Sequence, residues 1–265
     1  MKNTIFLQSD DGFSQVKITN GELISYQKKG VEYLHQKENL GWNHTDTEMF
    51  PIIGPTIKNN FKVITDKGVN YVDQHGFLRE MNYSLISLDT NTAVFNKVYV
   101  KNTPILNGKY PEKSTVKHLL WKYDFMFQKH IKITNDTLKI TFTIHTKKPM
   151  PFMLGYHPAF VLSGKNSELF TTETTSFSLQ DVLSSGAKAY PLLHTNKIVL
   201  ALQSGKKITL QTTGFNNLML WSEVNNMVCI EPITQYPDLE NQQYSDKNMR
   251  ICKDVEEFSV TINVD

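Results

Sequence analysis

Three acid–base side chains stand at unusual places in the sequence, and the first is His157 in the stretch GYHPAF. It follows the apolar run 151–154 and precedes Pro158. Because proline cannot donate a ladder hydrogen bond, a strand is expected to end or bulge at this point. Strand ends and bulges turn side chains towards clefts. His157 is therefore a candidate for proton transfer, and a buried, hydrogen-bonded core histidine is the alternative.

The second side chain is Glu231 in NMVCIEPITQYPD, where four apolar residues run into a carboxylate and a proline. A carboxylate at the end of an apolar strand is costly to bury unless it is paired or used. An exposed strand terminus is the alternative. The third side chain is His75 in DQHGFLRE, where Gly76 lets the backbone bend and approach a ligand closely. A simple turn is the alternative there.

A histidine and a glutamate together can deliver one proton and remove another, which is general acid–base catalysis. At neutral pH a glutamate of ordinary pKa is ionised, whereas a suitably placed histidine can hold a proton. A metal site built from His75, His157 and Glu231 is compositionally possible, but the short ligand spacing of such sites is missing. The motifs of nucleotide-binding, zinc-protease and hydrolase sites are also missing. We therefore expect neither a metal nor a cofactor.

The elements that position these residues are expected to be strands, because apolar and polar residues alternate with a period of two. In TLKITFTIHT the apolar positions are Leu138, Ile140, Phe142 and Ile144. Glycine, asparagine, aspartate and proline separate such runs, and no stretch of 12 residues has a convincing helical period. The sequence predicts one all-β domain over residues 1–265, built as a large antiparallel β-sandwich with few or no long helices.

Composition narrows the class of protein further. The 28 basic and 26 acidic side chains leave a formal net charge of +2, so no nucleic-acid partner is expected. No apolar run approaches the length of a membrane span, and the first residues lack the features of a secretory signal. The two cysteines, Cys229 and Cys252, provide no disulfide framework. A cytoplasmic location is the expectation.

Four motifs occur in a familiar order: FPIIGP, QHGFLR, PMPFMLGYHPAF and CIEPITQYPD. The series resembles the aldose 1-epimerase (galactose mutarotase) family, and is most similar to the epimerase-like branch associated with lactose operons. The resemblance implies a galactose mutarotase-like supersandwich, in agreement with the strand pattern. It further implies that His157 is the general acid, that Glu231 is the general base, and that His75 binds and orients the sugar.

The chain departs from the family pattern at one position. Many relatives carry a sugar-contacting arginine where FPIIGP has Pro55, and either Lys58 or Arg79 could compensate. We assign Arg79 to substrate binding. A sugar-contacting aspartate of known mutarotases has no clear counterpart.

Asp181 and Asp238 are the candidates for that aspartate, and we select Asp238 for the predicted site. Trp221 in LMLWSE could offer a ring for stacking, with a core tryptophan as the alternative.

The implied reaction is the interconversion of the α and β anomers of an aldohexose by ring opening and closure. A bell-shaped pH dependence is expected, with an acidic limb from Glu231 and a basic limb from His157. A hexose-6-phosphate 1-epimerase and a non-catalytic sugar-binding or sugar-sensing protein are the alternatives. The expected partner is a small sugar, and the expected assembly is a monomer or a homodimer.

Overall fold

The computed structural model describes residues 4–265, and almost every element in that range is a strand. In chain order the strands are β1 (Thr4–Gln8), β2 (Ser14–Thr19), β3 (Glu22–Lys28), β4 (Val31–Glu32), β5 (Glu48–Met49), β6 (Lys62–Thr65), β7 (Gly68–Tyr71), β8 (Ser84–Leu88), β9 (Thr92–Tyr99), β10 (Ile105–Leu106), β11 (His118–Leu119), β12 (Phe125–Ile133), β13 (Thr137–His145), β14 (Met150–Phe152), β15 (Gly155–Tyr156), β16 (Ala159–Val161), β17 (Leu169–Thr171), β18 (Ser176–Ser178), β19 (Tyr190–Leu192), β20 (Lys197–Ala201), β21 (Lys207–Thr213), β22 (Asn217–Trp221), β23 (Met227–Ile233), β24 (Arg250–Cys252) and β25 (Val255–Val264).

The largest sheet has nine antiparallel strands in the order β18-β17-β20-β21-β25-β13-β12-β9-β8. Its central strands bury alternate side chains, as the sequence pattern predicts. On β13 the buried positions are Leu138, Ile140, Phe142 and Ile144, while the residues between them are partly or fully exposed. One face of this sheet therefore carries the core.

A second sheet has six strands, in the order β19-β22-β23-β15-β5, with β16 also paired to β23. All seven residues of β23 are buried, because core lies against both of its faces. Aromatic side chains of the two sheets meet in the core. The rings of Phe142 on β13 and Tyr156 on β15 have centroids 5.0 Å apart. The predicted all-β sandwich is confirmed.

Smaller elements complete the described part of the chain. β1 to β4 form a four-stranded sheet, and three pairs form two-stranded sheets: β6-β7, β10-β11 and β14-β24. The short helix α1 (Leu179–Ser185) has a capping box in which Ser178 and Asp181 satisfy each other's backbone N–H groups. Three 3₁₀ turns lie at Ile57–Asn59, Leu78–Glu80 and Gly186–Lys188. Within residues 4–265, no helix has the length and apolar character needed to cross a membrane.

Candidate active site

His157 occupies the break between β15 and β16, where Pro158 interrupts the ladder. Its backbone is held in place by Thr47, since the N–H of His157 donates to the Thr47 carbonyl at 2.9 Å and the Thr47 N–H donates back at 3.3 Å. The sequence-based expectation that a strand ends at this histidine is confirmed. The His157 side chain is almost fully buried, with 6% of the residue exposed.

Glu231 lies on β23, the strand next to β15, and only 2% of it is exposed. Its Oε1 is 3.3 Å from Nε2 of His157. The short separation arises because β23 pairs with both β15 and β16, the strands on either side of His157. The two residues therefore form a buried acid–base pair.

Burial decides the protonation of this pair, because a low-dielectric surrounding disfavours both charged forms. It raises the pKa of Glu231 to about 8. Burial, together with the positive charge of Arg79, lowers the pKa of His157 to about 3. At neutral pH the proton of the pair therefore rests on Glu231, and Nε2 of a neutral His157 lies 3.3 Å from Oε1 of that carboxyl group. The sequence pattern predicts an ionised Glu231. The carboxyl group is protonated instead, because its burial in the folded protein disfavours the charged form.

This raised pKa predicts that Glu231→Gln becomes more stable relative to the wild type as the pH rises. The folded-state pKa of about 8 lies above the ordinary 4.5, so the contribution of Glu231 is fully present below pH 4.5 and is lost through pH 8. The difference in free energy of unfolding should grow by about 1.4 kcal/mol per pH unit across that window. Urea unfolding from about pH 5 to about pH 8 measures it.

The control for this stability measurement is Glu173→Gln, because Glu173 is an exposed carboxylate in the turn between β17 and β18. Replacing this exposed side chain should leave the free energy of unfolding close to that of the wild type. A stability difference that does not change with pH in Glu231→Gln would contradict a raised pKa at Glu231.

His75 enters the site from the loop after β7. Its backbone is left-handed, with φ of 70°, and Gly76 follows with φ of 69°. A Cβ at Gly76 would lie 1.9 Å from the Phe50 carbonyl oxygen, so glycine is required there. Nδ1 of His75 donates to the Ile53 carbonyl at 2.8 Å. Burial and Arg79 lower the pKa of His75 well below 6.5, which leaves Nε2 as a free acceptor.

His75, Arg79 and Trp221 line one cavity with the acid–base pair, and its volume is about 290 Å³. The ring centroid of His157 lies 5.8 Å from that of His75 and 6.0 Å from that of Trp221. The structure thus brings five of the six predicted site residues together. Trp221 is only partly buried and borders the cavity, so it is not a simple core tryptophan.

Asp238 is the predicted residue that the structure does not bring into the cavity. Its carboxylate accepts hydrogen bonds from the backbone N–H groups of Glu240 at 3.2 Å and Asn241 at 2.8 Å. These donors lower its pKa and fix the turn, while the flanking residues 237 and 239 line the cavity. Asp181, the other candidate, is used in the helix cap. Both aspartates serve local turns, which is an ordinary use of a short carboxylate side chain.

Pro55 lines the cavity, so no cationic side chain enters from that position. Lys58 does not compensate, because its Nζ donates to the Glu240 carbonyl at 2.8 Å outside the cavity. Arg79 does line the cavity, and its Nε lies 3.6 Å from Oε1 of Glu80. Of the two cations that the sequence left open, Arg79 is the one at the site.

Trp42 is a site residue that the sequence reasoning missed. Its ring packs on His157 with centroids 4.2 Å apart and on His44 at 5.4 Å. A tryptophan beside glycine in GWNHTD, outside any alternating run, was the available signal. No three His, Cys, Asp or Glu side chains of residues 4–265 cluster in a way that could hold a metal ion.

Solved structures of other proteins have the same architecture. A galactose mutarotase-like protein from Lactobacillus casei superposes with a TM-score of 0.78 at 17% identity, covering 99% of this chain and 100% of the other. A galactose mutarotase related enzyme from Lactobacillus acidophilus also superposes with a TM-score of 0.78, at 16% identity over 100% and 97%. The molecule is therefore a galactose mutarotase-like β-sandwich.

The sequence comparison gives the family. The aldose 1-epimerase family model matches residues 21–223, and the chain belongs to this family. It is also 24% identical to the plasmid-encoded Protein LacX of Lactococcus lactis subsp. lactis, over 86% of this chain and 87% of that protein. The chromosomal Protein LacX matches to the same extent. The resemblance seen in the sequence motifs is confirmed.

Proposed function

We propose that the protein is an aldose 1-epimerase that interconverts the α and β anomers of a neutral aldohexose. The observation that carries the proposal is the buried pair of His157 and Glu231, 3.3 Å apart in a cavity of about 290 Å³. Ring opening needs a proton delivered to the ring oxygen and another removed from the anomeric hydroxyl. A pair that holds one transferable proton supplies both functions.

Transfer of the shared proton from Glu231 to His157 leaves the net charge of the pair unchanged. Before the reaction the proton rests on Glu231, and transfer to Nε2 of His157 gives a carboxylate beside an imidazolium. The imidazolium of His157 then protonates the ring oxygen, while the carboxylate of Glu231 accepts the anomeric proton. The C1–O5 bond breaks and the open-chain aldehyde forms. Rotation about C1–C2 followed by the reverse transfers closes the ring as the other anomer.

His75 and Arg79 suit the role of holding the rest of the sugar. The free Nε2 of His75 accepts a hydrogen bond from a hydroxyl group, and the guanidinium of Arg79 donates to hydroxyl oxygens. Trp42 and Trp221 provide aromatic rings next to His157, with centroids 4.2 and 6.0 Å from that of the imidazole. An apolar surface with a few polar groups is the usual construction of a small-molecule site.

The direct test is polarimetry, or exchange of the anomeric protons by NMR, on freshly dissolved α-glucose and α-galactose. Equilibration should be faster with protein than in buffer alone. Saturable sugar binding without faster equilibration would instead indicate a binding or sensing protein. If these sugars neither bind nor equilibrate faster with the protein, both functions are excluded for them.

We predict that a neutral aldohexose is turned over more efficiently than its 6-phosphate. The cavity is lined by two basic side chains, Arg79 and Lys188, and by the acidic Glu223, while burial holds Glu231 protonated. Arg79, the one arginine there, already lies 3.6 Å from Glu80, so it is not a free fork for a phosphate. Phosphate recognition favours unpaired arginine forks. The measurement is kcat/KM for glucose, galactose and glucose 6-phosphate at identical salt. A tenfold preference for the phosphate, about 1.4 kcal/mol of transition-state binding, would contradict this prediction.

A further inference from the structure

A buried network of four charged side chains joins the nine-stranded sheet to the six-stranded sheet. Nζ of Lys129 on β12 lies 2.6 Å from Asp46 and 2.8 Å from Glu48. Nζ of Lys97 on β9 lies 4.0 Å from the same Glu48. All four side chains are buried. Burying such ions costs desolvation energy that an apolar core of the same volume does not incur. The network therefore calls for a reason other than stability.

The two carboxylates of the network belong to the segment that supports His157. They flank Thr47, whose backbone exchanges two hydrogen bonds with the backbone of His157. Oδ2 of Asp46 also accepts a hydrogen bond at 2.9 Å from the hydroxyl group of Tyr156, the residue before His157. Lys129 therefore holds this segment from the side of the nine-stranded sheet, while the segment itself holds the backbone of His157.

This support matters because β5 is too short to fix its own register. The strand has two residues and lies at the edge of the six-stranded sheet. A slip by one residue turns every side chain of a strand to the opposite face. Such a slip would turn Asp46 and Glu48 away from Lys129, so the ion pairs oppose it. It would also displace the backbone partner of His157 and change the 3.3 Å contact with Glu231.

Lys97 connects the same network to Arg79. Its Nζ donates a hydrogen bond at 2.8 Å to the carbonyl group of Leu78, the first residue of the 3₁₀ turn Leu78–Glu80 that carries Arg79. The lysine thus lies between the Glu48 carboxylate and this turn. Because Arg79 lines the cavity of the acid–base pair, the position of the turn determines where its guanidinium lies.

We propose that Lys129 and Lys97 are positioning residues with separate tasks. Lys129 keeps His157 in place for proton transfer. Lys97 keeps Arg79 in place for sugar binding. Neither lysine lines the cavity, so each acts through the residues that it holds. The tasks are separate because Lys129 contacts both carboxylates that flank Thr47, whereas the hydrogen bond of Lys97 goes to the turn of Arg79. The kinetic part of this inference rests on the proposed anomer interconversion.

The test is the split between kcat and KM in two matched variants, with whichever of α-glucose and α-galactose the wild type equilibrates faster. Lys129→Met should lower kcat by about tenfold or more and change KM less than about threefold. Lys97→Met should raise KM by about fivefold or more and change kcat less than about threefold. Lys132→Met makes the same chemical change at an exposed position of β12 and should leave both constants at their wild-type values.

A charge-balanced variant separates positioning from folding. Lys129→Met alone leaves a buried carboxylate without its cation, which destabilises the protein. Combining it with Asp46→Asn removes one charge of each sign and leaves Glu48 beside Lys97. This double variant should fold, as circular dichroism will show, and should lose kcat as the single variant does. If it folds and keeps the wild-type kcat, the inference is overturned. The inference also fails if the Lys129 and Lys97 variants change kcat and KM in the same way.

NMR of isotope-labelled histidine rings distinguishes failure of this inference from failure of the proposed function. Lys129→Met should shift the imidazole resonances of His157, and Lys97→Met should shift them less. The resonances of the exposed His118 should stay unchanged in both variants. If no sugar equilibrates faster with the wild type than in buffer, the proposed function fails and the NMR comparison decides the inference. Resonances of His157 that stay unchanged in folded Lys129→Met and in the double variant then overturn it.

Discussion

Glu231→Gln and His157→Asn are each expected to lower the rate of anomer interconversion at least about a hundredfold, because each removes one of the two proton-transfer groups. Glutamine keeps the shape of Glu231 but cannot exchange a proton at the 3.3 Å contact with Nε2 of His157. Asparagine keeps part of the imidazole's polarity and likewise cannot carry the proton. Single-turnover polarimetry on α-glucose measures both losses.

Matched controls distinguish loss of chemistry from loss of structure. Glu173→Gln and His118→Asn make the same chemical changes at exposed positions that do not line the cavity of His157 and Glu231. Both variants should keep the wild-type rate. Circular dichroism and the unfolding midpoint should show that all four variants fold. If Glu231→Gln or His157→Asn folds and keeps near-full turnover, the catalytic assignment is wrong.

The pH dependence of kcat/KM is expected to be bell-shaped, with limbs near the shifted pKa values of the pair. Below about pH 3 His157 takes up a second proton, so the pair can no longer accept one. Above about pH 8 Glu231 loses the shared proton, so the pair can no longer donate one. The rate should fall about tenfold per pH unit beyond each limb. The acidic limb then belongs to His157 and the basic limb to Glu231, the reverse of the assignment that ordinary pKa values suggest.

Arg79→Gln provides a check on the acidic limb. Because the charge of Arg79 contributes to lowering the pKa of His157, its removal should move that limb towards neutral pH. Arg250→Gln is the control, since Arg250 is the other arginine of the chain and pairs with Glu256 away from the site. Limbs near pH 4.5 and 6.5 in the wild type would mean that burial does not shift the pair.

Local sequence was enough to predict the fold class and to single out five residues that line the candidate cavity. The alternation in β13 and β25 is a property of neighbouring residues, because successive strand side chains point to opposite faces. His157 stood out because a proline follows it at the expected end of a strand. Glu231 stood out because a carboxylate after an apolar run is costly to bury unless it is paired or used. The motifs around them carried the family resemblance that the family match confirms.

Only the tertiary structure decided how these groups meet and where the proton rests. The contact between His157 and Glu231 depends on the pairing of β23 with β15 and β16, and their pKa values depend on the burial that all surrounding elements produce together. Trp42 was missed because it lies in an irregular loop, where no periodic pattern tells which side a ring faces. Asp238 was selected as the counterpart of a sugar-contacting aspartate in the family. Its carboxylate instead accepts hydrogen bonds from backbone N–H groups of its own turn and does not line the cavity.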